Sequence, residues 1–451
     1  MEEYDVITIG AGGAAYPAAF RLKRSGFSVL MIDKKGVMSG NCLAEGCVPS
    51  KAVIETVHNL AKMRHFGDYS IDYSKIVDHK DSVQNIRYEQ HDQELKEAGL
   101  KIIKGTARII DDNTVEVSSD TGTSRYRSSS AIIIASGSET FVPKIPGAEL
   151  AWTSADLYSL KPKVKKLPKS IAIIGGGYIG METASFMSIL GVKVTVIEML
   201  DRVMSTMDEA MVDKLLPLLP KMDIRTASPV QSIERNGSMY HVNFGKEGEK
   251  ESIEVEAVLM AVGRVPVFPE GIDDLGIEHD RHGIKVNMAM QTNIKNIYAT
   301  GDVNGITPLF HAAKRQSLVA ANNIMANNVP IDYFDPLSVP FTVYTIPQMA
   351  YVGILPSQAR KMGIEYLETD YQIEKDALAQ INNEMFGEIR IFTDKRMKVI
   401  GGYVIGNDAG NVINEIALAV SKGLSLRDLA EMAHQHPMTF EGIDSAARKL
   451  Y

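Results

Sequence analysis

Apolar and polar positions fall into the same pattern twice along this chain. The run Asp5-Val-Ile-Thr-Ile is short, β-branched and stops at Gly10, as a buried parallel strand does before a tight turn. Residues 16–26 follow as a helix closed by Gly26, and Ser28–Ile32 reads as a second strand ending at Asp33. The passage recurs with Ile171–Ile174 as strand, Gly175–Gly180 as turn, 181–190 as helix and Lys193–Ile197 as second strand. Each is a strand-helix-strand unit, so the pattern predicts two doubly wound α/β folds in one chain. Residues 161–169 hold two prolines and five lysines, the composition of an exposed connection, which puts a boundary just before them. After Pro336 and Pro340 the texture changes to strand-like runs near 341–353 and 388–405 and a helix over 411–422, an α+β arrangement. The boundaries expected are 1–150, 151–270, 271–335 and 336–451.

The length of 451 residues fits this division, since about three domains follow from length alone. With 45% hydrophobic and 23% charged residues the composition is that of a globular protein. A formal charge of -8 and the lack of a long basic run argue against a nucleic-acid binder. No stretch approaches the roughly 20 apolar residues that span a bilayer, so no membrane association is expected. The acidic amino terminus runs straight into an apolar strand, unlike a secretory signal, and a cytoplasmic protein is expected. Two cysteines are too few for a structural disulfide framework and point to chemistry instead.

The first turn, Gly10-Ala-Gly12-Gly-Ala-Ala15, fits a dinucleotide fingerprint with Ala in the third place. Its glycines let a pyrophosphate approach the helix amides, and Asp33 is placed for an adenosine ribose. By itself such a turn is only a tight strand-to-helix connection; the preceding strand and following acid add weight. The second turn, Gly175-Gly-Gly177-Tyr178-Ile-Gly180, is a full match and is followed by Glu198. A carboxylate there accepts a free 2′-hydroxyl and repels a 2′-phosphate, which favours NAD over NADP, with Arg202 as the opposing feature.

The segment Gly40-Asn41-Cys42-Leu-Ala-Glu-Gly-Cys47-Val-Pro-Ser-Lys51 opens a helix, with Pro49 in its first turn. A thiol at a helix N-terminus has a lowered pKa, which suits Cys47 to act as a thiolate. Two buried thiols or half of a metal site are the plainer readings, but no other cysteine could complete a metal site and no metal is expected. Near the end, His434-Gln-His436-Pro437 precedes Glu441, and an isolated pair of this kind is more often just exposed.

Taken together, GNCLAEGCVPSK resembles the redox motif of the pyridine nucleotide-disulfide oxidoreductases, the flavoprotein group that includes dihydrolipoamide dehydrogenase and glutathione reductase. The resemblance runs over essentially the whole chain. It implies two Rossmann-like domains, for FAD and NAD, and a C-terminal dimerisation domain, with FAD taking both 1–150 and 271–335. For FAD it implies Gly10, Gly12, Ala15, Asp33, Lys34, Gly40, Asn41, Ala107, Ser136 and Gly137, joined by Gly301 and Asp302 of Asn296-Ile-Tyr-Ala-Thr-Gly301-Asp302. For the nicotinamide nucleotide it implies Gly175, Gly177, Tyr178, Gly180, Glu198, Gly263 and Arg264.

The same resemblance implies that Cys42 and Cys47 form a redox disulfide, Cys42 meeting substrate and Cys47 facing the flavin. Lys51 and Glu182 should pair near the flavin ring. His436, oriented by Glu441, should act as acid-base catalyst from the other subunit of a homodimer. The expected partner is a small dithiol or disulfide, or a lipoyl-bearing protein domain. Dihydrolipoamide oxidation is the leading expectation. A glutathione-type reductase is the alternative, because Tyr178 stands where some members carry an aromatic lid and typical dihydrolipoamide dehydrogenases have an aliphatic residue. The chain departs from the usual motifs at Ser39, Asn41, Gln348, Met438 and Phe440. A non-catalytic redox-sensing subunit is a reading from another class, against which stands the retention of Cys42, Cys47, Lys51, Glu182, His436 and Glu441 as a set.

Overall fold

A computed structural model describes residues 1–67, 71–246 and 251–451. Its first sheet runs, in order, Lys101–Lys104, Val29–Asp33, Glu2–Ile9, Gly122–Ile134, Thr114–Ser119 and Thr106–Ile109. The first four strands are parallel, and the late strand Ile297–Ala299 adds in parallel against the buried end of Gly122–Ile134. The chain therefore leaves this unit and comes back to it. Val6, Ile7, Leu30, Met31 and Ile132 to Ile134 are wholly buried, because a parallel sheet is covered on both faces.

The second parallel sheet has the order Asp223–Arg225, Lys193–Ile197, Ser170–Ile174 and Ala257–Met260. A three-stranded antiparallel sheet formed by Val230–Asn236, Met239–Phe244 and Glu251–Val255 packs beside it. The chain passes between the two units twice, and the passing strands Ser138–Thr140 and Arg264–Pro266 pair antiparallel.

The third unit is a five-stranded antiparallel sheet, ordered Phe341–Val343, Gln348–Gly353, Val399–Gly406, Glu388–Thr393 and Leu367–Gln372. The run near 388–405 is thus two strands. The helices Ala409–Lys422 and Glu441–Ala447 pack on this sheet through Val412, Ile413, Ile416 and Ile443.

Residues of α2 (Gly40–Ala44), α3 (Cys47–Met63), α5 (Ser154–Tyr158) and α6 (Tyr178–Ile189) line the cavity between these units, while α1 (Tyr16–Arg24) packs on the first sheet and α4 (Tyr73–Ala98) packs behind α2 and α3. The redox segment makes two helices rather than one. Gly46 stands between them, where a Cβ would lie 2.8 Å from the Asn41 carbonyl oxygen.

Candidate active site

The two glycine turns are built on one plan. Gly10 N–H donates to Ile32 O at 2.6 Å and Gly175 N–H to Ile197 O at 2.8 Å, so each turn is tied to the end of the neighbouring strand. Both glycines have positive φ, +115° and +104°. A Cβ there would lie 2.2 Å from Ala135 O and 2.4 Å from Ala261 O respectively, which no side chain can do. At Gly177 a Cβ would meet nothing within 4 Å, leaving the mouth of the second turn open to a ligand. Gly180 lies against its strand, its added Cβ only 2.1 Å from Gly175 O, and Ala15 fills the equivalent place in the first turn, fully buried.

A cavity of about 640 Å³ starts at the first turn and ends at the cysteines. Gly10, Gly12, Asp33, Lys34 and Ala107 line one end; Gly40, Asn41, Ser136, Gly137 and Asp302 line the middle; Cys42, Cys47, Lys51, Tyr178, Glu182 and Arg264 line the other end. A cleft that runs from a glycine turn to the cysteines fits an extended dinucleotide such as FAD, whose pyrophosphate the α1 amides would receive. Asp33 accepts from the backbone N–H groups of Ala11, Lys35 and Gly36, and so is fixed in orientation at the cleft's end. Glu198 is held likewise by the N–H groups of Gly176 and Leu200. Arg202, the feature that opposed an NAD preference, is turned toward Glu209 at 2.7 Å and Asp213 at 3.2 Å.

Asp302 and Arg264 meet through Ser138. The Ser138 hydroxyl donates to Asp302 at 2.6 Å while Arg264 Nε donates to that hydroxyl at 2.8 Å and a second guanidinium N–H to Ser138 O at 2.7 Å. Asn41 Nδ2 donates to the same carbonyl, also at 2.7 Å, and its Oδ1 accepts from Lys35. Gly301, at φ +78°, sits where a Cβ would lie 2.6 Å from the Ala14 Cβ, locking the late strand against the first turn. Gly263, at φ +113°, accepts from Phe141 N–H in the crossing between units.

Cys42 and Cys47 are free thiols. Cys42 is half-buried and Cys47 is open to the cavity. The Cys42 thiol bonding to Cys47 lowers the Cys47 pKa to about 7; burial opposes this and the Lys51 ammonium reinforces it. The same bond, with burial and the Cys47 charge, pushes Cys42 up. Cys47 is therefore the thiolate of the pair and Cys42 the thiol. It is also the first residue of α3, where the helix dipole favours negative charge.

Lys51, one turn into α3, reaches Glu182 of α6 at 2.8 Å. Glu182 is 5% exposed rather than solvated, and its other oxygen accepts from Tyr344 N–H at 2.9 Å. Burial alone would lower the Lys51 pKa, but Glu182 outweighs it and the net direction is up, so the lysine stays charged. Tyr344 was not legible as a site residue: its ring lies 4.5 Å from Lys51 Nζ, a cation-π contact, and an aromatic in a strand run gives no such signal. Phe310, a cavity residue at the start of a helix, was not legible either; it leans on Gly13, where a Cβ would lie 2.6 Å from its ring. Tyr178 stacks edge-to-face on Phe341, ring centroids 5.7 Å apart, and burial pushes its hydroxyl up to about 12.

His436 is not in this cavity. Its imidazole is 71% exposed, and Nδ1 faces Glu441 at 2.9 Å while the Met438 N–H donates to the same carboxylate. The Met438 N–H, and then His436, hold the Glu441 carboxyl below its usual range against a burial effect. His434 turns the other way, buried against Glu415 at 3.0 Å. The chain thus brings the cysteines, Lys51 and Glu182 together and presents His436 and Glu441 outward. Among the described residues no group of side chains could hold a metal ion, and no helix is long and apolar enough to cross a membrane.

Comparison with known proteins extends this geometry. Residues 4–317 match the family model of pyridine nucleotide-disulphide oxidoreductases and residues 339–447 match the dimerisation domain of that family. The chain is 31% identical to dihydrolipoyl dehydrogenase of Bacillus subtilis, over 96% of this chain and 94% of that one. It is 28% identical to leghemoglobin reductase of Glycine max, over 100% and 88%. Among solved structures, LpdA of Mycobacterium tuberculosis superposes with a TM-score of 0.89 at 23% identity, covering all of both chains. The HOCl-induced flavoprotein disulfide reductase RclA of Escherichia coli gives 0.87 at 24%, covering 99% of this chain and 100% of that one.

Proposed function

This chain belongs to the pyridine nucleotide-disulphide oxidoreductase family, and from that premise we propose that it oxidises a dithiol of the dihydrolipoamide type with NAD. It is an FAD-dependent disulfide oxidoreductase with a C-terminal dimerisation domain. The observation that carries the finer reading is the pairing of a Cys47 thiolate with Lys51 and Glu182 at the end of a dinucleotide-sized cleft. Full-length relatives named dihydrolipoyl dehydrogenase support the substrate, and Glu198 with an engaged Arg202 supports NAD.

In the oxidised state Cys42 and Cys47 are joined. A substrate thiolate attacks Cys42 Sγ, forming a mixed disulfide and releasing Cys47 as thiolate, the leaving group its environment favours. The second substrate thiolate attacks the substrate sulfur and expels Cys42, so the two electrons now rest on the cysteine pair. His436 of the partner subunit, its ring held by Glu441, takes the proton of the first substrate thiol, and the proton of the second goes to Cys42 as it is expelled, which leaves the pair as one thiolate and one thiol. Lys51 and Glu182 fix a positive charge beside Cys47 without leaving either ion unpaired. Bound FAD supplies the two-electron link between this dithiol and the nicotinamide. The partner of such chemistry is free dihydrolipoamide or a lipoyl-bearing protein domain.

A second reading, a reductase of glutathione-like disulfides, is favoured by Tyr178 and its Phe341 support at the cleft. Purified holoenzyme assayed with NADH and NADPH against lipoamide, glutathione disulfide and other small disulfides separates the two. Fastest turnover is expected with NADH and lipoamide. Greater kcat/KM for glutathione disulfide would transfer the assignment to the second reading, and no turnover with any pair would leave a redox-sensing subunit.

A further inference from the structure

The turn that carries Cys42 cannot hold itself. Helix α2 has five residues, enters through left-handed Ser39 and Gly40 (φ 84° and 52°), and by its length leaves most of its carbonyls without an internal partner. Two of those carbonyls are met from α4. Gln84, 0% exposed, donates through Nε2 to Leu43 O at 2.8 Å and Ala44 O at 3.1 Å.

Gln84 is itself held. Its Oε1 accepts from Lys80 Nζ at 2.8 Å, one helical turn earlier, and Lys80 is also 0% exposed. Lys80 spends its remaining donors on the Asp81 carboxylate and the Ser159 carbonyl, at 2.7 Å for the latter. Asp81 accepts in turn from Lys161 N–H. Tyr158, the residue before Ser159, lines the cleft that holds the cysteines. A buried lysine fixed on all sides thus clamps the amide that fixes the Cys42 turn.

We propose that Gln84, backed by Lys80, is a positioning residue for the redox pair: it holds Cys42 at the distance and angle from which its sulfur can bond Cys47. Neither residue lines the cleft, and neither is part of the Lys51, Glu182, His436 and Glu441 set. Capping two carbonyls with one primary amide orients the turn as well as satisfying it, because both bonds must be made by the two N–H bonds of a single planar group. The consequence is a high effective concentration of one sulfur for the other, which favours the disulfide. This inference rests on the reading of Cys42 and Cys47 as a redox pair.

The test equilibrates holoenzyme in glutathione buffers. The Cys42–Cys47 bond forms as one glutathione disulfide is reduced to two glutathione thiols, which take up the two protons. Acid quenching and mass spectrometry read the fraction oxidised. Gln84→Met keeps the side chain's length but has no N–H, and should lower the equilibrium constant about tenfold, which is about 30 mV for this two-electron couple. Iodoacetamide should then alkylate Cys42 faster relative to Cys47 than in the wild type, a ratio that a general loss of stability would not move in one direction. Should Gln84→Met not accumulate as folded holoenzyme, Gln84→Asn, whose amide is drawn back by one methylene, carries the same expectation. A constant within twofold of wild type, with an unchanged alkylation ratio, overturns the positioning role. A wild-type protein that forms no Cys42–Cys47 disulfide in any buffer overturns the redox-pair reading instead.

Discussion

Lys51 Nζ lies 2.8 Å from Glu182 Oε2, joining the first turn of the cysteine helix to the first turn of the helix after the second glycine turn, 131 residues away. The glutamate is nearly buried while the lysine side chain keeps 28% of its exposure. Removing the acid leaves a cation that burial disfavours, with the Cys47 charge and the Tyr344 ring to compensate. Glu182→Gln should cost about 2 kcal/mol, below the roughly 3–5 kcal/mol of a fully buried pair because water still reaches Lys51. Urea unfolding of the variant beside the wild type measures it.

Cys47 provides a pH test. Its thiolate is the favoured form above about 7, so alkylation of Cys47 in the reduced protein should fall as pH drops through that value. The sign follows from a depressed acid: charge is retained above the midpoint and lost below it. Cys42→Ala, which removes the larger support, and Lys51→Met, which removes a smaller one, should each raise the midpoint. Peptide mass spectrometry of iodoacetamide-treated samples across pH 5–9 reports it. A midpoint that stays near 7 in both variants would remove the stated cause.

The parts of the site that were legible in the sequence obey local rules. Gly10 and Gly175 must be glycine because of backbone angle and a carbonyl less than 2.5 Å from any Cβ, and such constraints leave a mark within a few residues. The cysteine segment was legible for the same reason. Tyr344, Phe310, Lys80 and Gln84 were not, since their partners lie across the chain and their residue types are ordinary for a strand or a polar helix. Helix α4 reads as solvated over most of its length, yet it buries a lysine and a glutamine completely. The pairing of Glu182 with Lys51 was reached through family resemblance, because no spacing rule connects residues so far apart.

His436 faces outward with Glu441 beside it, and the cysteines of the same chain lie inside a cleft it does not line. His436→Gln should slow the dithiol-disulfide exchange by about 10²–10⁴-fold, the usual size of a lost general acid-base group. Reduction of the bound flavin by NADH, which does not need this proton transfer, should keep its rate. Stopped-flow measurement of the two half-reactions distinguishes the outcomes. Mixing His436→Gln with a Cys42→Ser variant should restore turnover in heterodimers if the histidine serves the partner's cysteines. No recovery on mixing would mean that it does not.

Glu198 and Arg202 make opposing arguments about the nucleotide, and the geometry weighs them. Glu198 is fixed at the strand end by the N–H groups of Gly176 and Leu200, so it cannot swing away from a ribose without giving up both. Arg202, the only nearby cation that the sequence set against it, is already held by Glu209 and Asp213. A 2′-phosphate would therefore meet a fixed carboxylate and an arginine whose charge is already compensated, and NADH should be preferred over NADPH. Glu198→Ala should raise KM for NADH about tenfold through loss of the ribose contact, roughly 1.4 kcal/mol. It should also lower KM for NADPH by removing the repulsion. The double change Glu198→Ala with Glu209→Ala, which loosens Arg202, should lower the NADPH value further. Steady-state kinetics with both nucleotides reads all three, and a Glu198→Ala enzyme whose NADPH KM does not fall would show that the carboxylate is not what excludes the phosphate.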